Sequence, residues 1–251
     1  MVSIVMSAYN AEKTIASSIG SVISQTFGNW ELIVVNDAST DTTAQIVNAH
    51  AENDLRIHLY ANEKNMGIAK SRNFGVLRAK YQWIAFLDSD DCWHESKLQK
   101  QLDFIEKTSA KISYTGTVYI NEANIKSDYV LQAKKDLTYR DLLIANLMSC
   151  SSVIVCRDLL LRYPFPEGEL HEDYVVWLQI LKEVEYAYGL DEPLLLYRMS
   201  SSSKSANRVR SAKMILNAYN KVGYGSVVAV LLTLRYALHS ISKRSKIKLG
   251  W

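Results

Sequence analysis

Val2-Ser3-Ile4-Val5-Met6 is an apolar-rich run that gives way within a few residues to the polar pair Tyr9-Asn10. Residues 32–35 (Leu-Ile-Val-Val) repeat the pattern ahead of Asn36-Asp37. Residues 83–87 (Trp-Ile-Ala-Phe-Leu) repeat it again ahead of Asp88-Ser89-Asp90-Asp91. Runs that do not alternate suit strands covered on both faces, the setting of a parallel sheet. Helical periods lie between them: Ile15, Ile19, Val22 and Ile23 share one stripe, and Leu98, Leu102 and Ile105 share another. A strand over residues 55–60 and a helix over residues 68–80 complete a βαβαβ rhythm. The pattern predicts an α/β fold with a Rossmann-like, mostly parallel sheet and helices on both faces.

Outward from this region the pattern changes. Past residue 110 come strand-like segments at 112–120 and 152–156, read as α+β material packed against one edge of the first sheet. Helical patterns at 207–221 and 227–242 follow. This divides the chain into residues 1–110, 111–205 and a helical tail, 206–251. With only 3 Pro and 10 Gly there is no flexible linker between them. A hydrophobic fraction of 48% and a charged fraction of 22% exclude a disordered or collagen-like chain. No stretch reaches the roughly 18 apolar residues of a spanning helix. No basic region precedes the first strand, so a secretory signal is not expected. Cys92, Cys150 and Cys156 lack CxxC spacing and suit incidental thiols of a reducing compartment. The net charge of +3 conceals a division: from Pro193 onward there are eleven Lys or Arg and no acid, so the body is acidic and the tail basic.

The chemistry gathers where the strands end. No GxGxxG follows the first strand and no GxxxxGK[ST] occurs, which argues against a dehydrogenase and a P-loop NTPase. Polar residues follow three strands instead, and open α/β sheets bind ligands outside the carboxyl ends of their strands. Asp88, Asp90 and Asp91 crowd three carboxylates into four residues, a repulsion that a cation or hydrogen-bond donors must offset. Read alone, the cluster suits a helix N-cap as well as a hard cation such as Mg²⁺. A cap does not require three acids, which favours the cation. In Glu172-Asp173-Tyr174, Glu172 suits an ordinary helix N-terminus. Asp173 falls on the inward stripe with Val176, Trp177, Ile180, Leu181 and Val184, which marks it as a candidate general base. His171 is read as a surface residue.

Five motifs in order now carry a resemblance: residues 3–10 (SIVMSAYN), 35–41 (VNDASTD), Asn65-Met66-Gly67 with Ser71-Arg72-Asn73, residues 86–91 (FLDSDD), and Glu172-Asp173 with Trp177-Leu178. Together the chain resembles family 2 glycosyltransferases of the GT-A fold, over roughly residues 2–205. Its greatest similarity is to bacterial enzymes of capsule, O-antigen or teichuronic-type polysaccharide synthesis. The resemblance implies that Tyr9 and Asp37 hold the nucleobase and ribose of a nucleotide-sugar donor and that Arg72 meets its diphosphate. It implies that Asp88 and Asp90 form a DxD element with Asp90 nearest a Mn²⁺ or Mg²⁺ ion. Asp173 would be the catalytic base, and Tyr197-Arg198 would close over the donor, Arg198 among its contacts. Two positions depart from the family: Ser7 replaces a proline, and Ser200 stands where many relatives place a histidine that meets the metal.

These roles describe an inverting transfer from a nucleotide sugar, probed first with UDP-sugars, to a saccharide or lipid-linked acceptor. A cation offsets the leaving diphosphate and a carboxylate opposite deprotonates the acceptor hydroxyl. A non-catalytic sugar-nucleotide binding module leaves the inward Asp173 unexplained. A nucleotidyltransferase needs a Gly-rich basic loop that Ala8-Tyr9-Asn10-Ala11-Glu12 does not offer. The basic tail lacks the interleaved aromatics of a nucleic-acid platform, so no nucleic acid is expected. The tail suits an anionic membrane surface better than packing on protein, which predicts a cytoplasmic protein, peripheral on the inner face of the membrane.

Overall fold

The computed structural model describes residues 1–199 and 208–247. Ser200, singled out above, and Lys248 in the basic tail lie outside the described residues.

The first half is a run of βα units. Strands β1 (Val2–Ala8), β2 (Trp30–Asn36), β3 (Ile57–Ala61) and β4 (Trp83–Phe86) lie parallel in the order β3-β2-β1-β4. Helices α1 (Ile15–Ile23), α2 (Thr43–Asn53) and α3 (Ile68–Arg78) are the crossovers. Every residue of β2 is buried, as an uninterrupted apolar run requires. Alternate residues of β1 feed two cores. Ile4 and Met6 join α1 and α2 on one face, while Val5 joins α3 and the later helices on the other. The closeness of α3 to the sheet depends on Gly75, where a Cβ would stand 2.5 Å from Val5 Cγ1. Gly67, at φ 85°, turns the chain into α3 through a conformation that other residues avoid.

The second half continues the same sheet. After β5 (Cys92–Trp93) and α4 (Lys97–Thr108) come β6 (Ile112–Ile120), β7 (Lys126–Leu131), β8 (Asp136–Leu137) and α5 (Tyr139–Ile144). A 3₁₀ turn at Cys150–Ser152 leads to β9 (Ile154–Cys156), α6 (Arg157–Arg162), α7 (Glu172–Ile180) and β10 (Ala187–Arg198). The main sheet order is β3-β2-β1-β4-β9-β6-β10-β5. The later residues therefore extend the sheet by strand pairing rather than packing against its edge. The short β9 is the splice, antiparallel to both β4 and β6.

Local differences from the sequence reading have simple causes. Ile23 is exposed because α1 ends there. Leu55 is exposed because β3 starts two residues later, after a turn in which Arg56 forks onto Asp54. The helix after the acid cluster starts at Lys97 rather than near Glu95, because Cys92–Trp93 first pairs with β10. Helix α7 is buried nearly all round, from Tyr174 to Leu178 and at Ile180, so a single inward stripe understates its burial.

The chain continues into α8 (Arg208–Lys221) and α9 (Ser226–Lys246). These helices are built into the body. Ile215, Ala218, Tyr219 and Ala229 belong to the same core as α7, and the Tyr174 and Tyr219 hydroxyls lie 3.1 Å apart. Among the described residues, no helix is long and apolar enough to cross a membrane.

Candidate active site

The ends of β1 and β2 form one stitched rim. Asn10 and Ala38, each just past a strand, adopt positive φ (49° and 59°), which turns both loops sharply. Asn is among the few residues that tolerate this, whereas at Ala38 it stores strain at the crevice. Asn10 Oδ1 accepts from Thr40 N, Ala11 N donates to Thr43 Oγ1, and Thr42 Oγ1 donates to Glu12 Oε2. Ser7, the position that departs from proline, sits inside β1 opposite Val35 and pairs normally. Tyr9 stands half-exposed on the lip. Asp37 is buried and accepts from Asn62 Nδ2 and from the backbone N–H groups of Met66 and Gly67. It thereby anchors the loop that leads into α3.

Beyond β4 the chain makes the acid turn. Ser151 Oγ accepts from Asp88 N, and Arg198 braces the turn by donating from Nε to the Asp90 carbonyl and from its backbone N–H to Asp91 Oδ1. Arg198 also donates to the carbonyl of Asn121. It is buried, and it shapes the turn through these bonds. Asp91 is almost fully buried and its Oδ2 has no hydrogen-bond partner. Burial, then Asp90 and Asp88, hold the Asp91 carboxyl well above the usual range. Asp90 is half-buried, and burial followed by the charge of Asp88 raises it to about 6.

A polar layer backs this turn. Trp93 Nε1 donates to the Ser151 carbonyl and Gln101 Nε2 to that of Ser152. The fully buried Lys97 donates to Gln101 Oε1 and lies 4.2 Å above the Trp93 ring; burial lowers its ammonium to about 7. Trp93 and Gln101 hold the 3₁₀ turn that in turn holds Asp88, and Lys97 braces them both.

Arg72 joins the acid turn to α7. Its guanidinium, almost fully buried, donates to Asp88 Oδ1 at 2.6 Å and to Glu172 Oε1 at 3.0 Å. Burial disfavours the charge, but Asp88 and Glu172 more than offset that. Asp173 is half-buried at the first turn of α7, with Oδ1 accepting from Tyr174 N. Burial and then the neighbouring Glu172 raise Asp173 to about 6. His171, expected at the surface, is half-buried, and its Nε2 lies 3.2 Å from Ser211 Oγ of α8.

Arg72, Asp88, Asp90, Asp173 and Arg198 thus come together through the acid turn and the start of α7. Asp37 instead bonds to Asn62 and the loop at Met66 and Gly67, and Tyr9 stands on the lip. Sequence reasoning read Glu172 as an acid at an ordinary helix N-terminus and passed over Ser151 and Asn62. Asn62 carried the available signal, a polar residue one step past β3, matching the other strand ends. The pairing of Glu172 with Arg72 carried none, because the two lie one hundred residues apart.

The acid turn suits a hard cation. Asp88, Asp90 and Asp91 offer oxygen only, and a cation would relieve both the raised Asp90 and the unpartnered Asp91 Oδ2. No three acids, histidines or cysteines among the described residues already surround one point. Such an ion would complete its shell with phosphate and water, as Mg²⁺ commonly does.

Comparison with known proteins agrees with this architecture. The family model described as "Glycosyl transferase family 2" matches residues 3–157. WfgD of Escherichia coli, a UDP-Glc:alpha-D-GlcNAc-diphosphoundecaprenol beta-1,3-glucosyltransferase, is 36% identical over 246 residues, 98% of this chain and 95% of its own length. TuaG of Bacillus subtilis (strain 168), a candidate teichuronic acid biosynthesis glycosyltransferase, is 34% identical over 245 residues, 97% of each chain. The fold is shared with Staphylococcus aureus TarS 1–349 in complex with UDP-GlcNAc, at TM-score 0.74 and 20% identity over 96% of this chain and 72% of that one. It is shared also with the Pyrobaculum calidifontis mannosyltransferase PcManGT in complex with GDP-Man and Mn²⁺, at TM-score 0.69 and 16% identity over 96% and 74%. The chain belongs to glycosyltransferase family 2.

Proposed function

We propose that this protein is an inverting, metal-dependent glycosyltransferase. It moves a sugar from a UDP-sugar to a saccharide carried on a lipid diphosphate, during synthesis of a cell-surface polysaccharide. The observation that carries the reading is Asp173. It is a carboxyl raised to about 6 at the start of a buried helix, beside a glutamate that Arg72 ties to the acid turn. A base with that midpoint is ionised near neutral pH and still strong enough to take a proton. The relative WfgD, by its name, uses UDP-Glc and an acceptor on diphosphoundecaprenol, which supports the donor and acceptor classes.

In this reading the donor's base rests against Tyr9, while Asp37 shapes the pocket by holding the loop at Met66 and Gly67. Asp90, with Asp88 beside it, would hold Mn²⁺ or Mg²⁺, which would supply positive charge to the leaving diphosphate. Arg72 adds charge on that side and keeps Asp88 and Glu172 in register. Arg198 holds the turn in shape. Asp173 accepts the proton of the acceptor hydroxyl as that oxygen attacks the anomeric carbon, so the configuration inverts in one displacement. The protein works as a peripheral protein on the inner face of the membrane, where a lipid-linked acceptor is presented.

The test is a panel of nucleotide sugars incubated with a GlcNAc-diphosphate-lipid acceptor, with Mn²⁺ or with EDTA. Product from a UDP-sugar in Mn²⁺, lost in EDTA and in Asp90→Ala, is expected. Equal product in EDTA would remove the metal from the mechanism. UDP binding with no transfer from any donor would make the chain a binding module.

A further inference from the structure

Helix α9 has two faces with different fates. Ala229, Tyr236 and Lys243 recur every seven residues and turn to the body. Ala229 is fully buried, the Tyr236 ring packs 5.7 Å from that of Tyr174, and Lys243 Nζ lies 5.2 Å above the Tyr119 ring. On the opposite side Val227, Leu231, Leu234, Leu238 and Ile241 follow at intervals of four, three, four and three. They are 76%, 61%, 59%, 71% and 55% exposed. Val228 and Val230, each 46% exposed, widen the stripe at its start. At 1.5 Å per residue it runs about 21 Å. A contiguous row of large aliphatic side chains marks an interaction surface.

We propose that this face lies in the boundary between headgroups and acyl chains of an anionic bilayer, with α9 as an in-plane anchor. The heptad-like spacing would also suit a seam with a second copy. Charge decides between the two. Arg235 flanks the stripe, Lys246 follows it, and no acid occurs from Pro193 onward. Two copies would bring like charges together with no acidic partner at the flanking positions that coiled coils use for pairing. Anionic headgroups neutralise them. The helix is also too polar to cross, so it lies in the interface rather than spanning.

The inner face of α9 gives the anchor a consequence, which rests on the proposed function whereas the anchoring itself does not. Tyr236 packs on Tyr174, the residue after Asp173. The inner face of the anchor thus braces the start of α7 from behind, while its outer face would hold the protein where a lipid-borne acceptor arrives in the plane of the membrane.

The experiment is sedimentation of the full chain with vesicles of phosphatidylglycerol and phosphatidylcholine, or of phosphatidylcholine alone. Binding to the anionic vesicles, weakened by salt, is expected. Leu231→Glu combined with Leu238→Glu should weaken it about tenfold or more. Arg235→Gln and Lys246→Gln should each weaken it about fivefold. UDP binding and thermal unfolding should stay unchanged, since all four side chains are exposed. Wild type that ignores anionic vesicles at low salt, or a glutamate pair that binds as well as wild type, overturns the proposal. A stable dimer that the glutamate pair dissolves would assign the face to a second copy. Loss of glycosyl transfer in every assay, with vesicle binding intact, would sink the proposed function and leave the anchor standing.

Discussion

Two groups of carboxylates face one crevice, and they reach a similar chemical state by different routes. In the turn after β4 three acids lie within four residues, so their repulsion is fixed by covalent order alone. At the start of α7, Glu172 and Asp173 are also neighbours, but their setting is made by the body folding around an almost wholly buried helix. Each group ends with one carboxyl at about 6, Asp90 in the turn and Asp173 on the helix. Burial is the largest cause in both, followed by the adjacent acid, Asp88 or Glu172. Arg72 sits between the groups and bonds to Asp88 and Glu172, leaving Asp90 and Asp173 without its hydrogen bonds. One buried cation thus ties down one acid of each group, while Asp90 and Asp91 in the turn and Asp173 on the helix stay raised. The difference lies in what each remaining acid offers. Asp90 belongs to an oxygen-rich turn, for which we propose a cation, whereas Asp173 has the single acidic neighbour Glu172 and is proposed as the base.

The largest effect should come from the helix side. Asp173→Asn keeps the shape of the side chain and removes its basicity, so turnover should fall ~10²–10⁴-fold with UDP affinity nearly unchanged. Steady-state kinetics with parallel calorimetry of UDP binding checks this. A variant that keeps most of its turnover would erase the contrast between the two groups.

Arg72→Leu should break the bridge itself. It would remove the counter-charge that Arg72 gives to buried Glu172 and to Asp88, a loss of about 3–5 kcal/mol seen in urea unfolding. Arg72→Lys keeps the charge without the two-armed fork, and it should recover only part of the loss. Equal stability for all three proteins would mean that the bridge holds nothing together.

A smaller, sharper test uses pH. The base must be ionised to act, so kcat/KM should fall as pH drops through about 6, the position to which burial and Glu172 raise Asp173. Glu172→Gln removes a negative neighbour, which eases ionisation of Asp173 and moves this acid limb to lower pH by up to about one unit, or 1.4 kcal/mol. A limb that stays in place would assign it to the acid turn, where Glu172 is not among the main causes of the Asp90 shift.

Much of the fold was legible because it rests on local patterns. Uninterrupted apolar runs at β1, β2 and β4 need cover on both faces, and the two cores supply it. The polar residues after those strands mark the crevice for the same reason: a parallel sheet aligns all its carboxyl ends. The limits of local pattern show equally well. Nothing near Arg72 in the chain announces that it will be buried between Asp88 and Glu172. Periodicity gave α7 one inward stripe, whereas tertiary packing covered nearly every side. For the tail, a choice between membrane and protein packing misses that α9 turns one face to the body and another outward.

By itself, then, the sequence determined the α/β class, the strand ends that build the crevice, the crowding of Asp88, Asp90 and Asp91, and the segregation of basic charge beyond Pro193. All of these follow from residues within one or two turns of each other, where covalent spacing sets the geometry. Tertiary structure alone decided that β9 splices the later strands onto β4, that Glu172 is a partner of Arg72, and which stripe of α9 stays in contact with water. Those outcomes depend on distances between residues tens to a hundred positions apart. Only packing brings such residues together, and only burial then turns a hydrogen bond or a neighbouring charge into a shifted proton affinity.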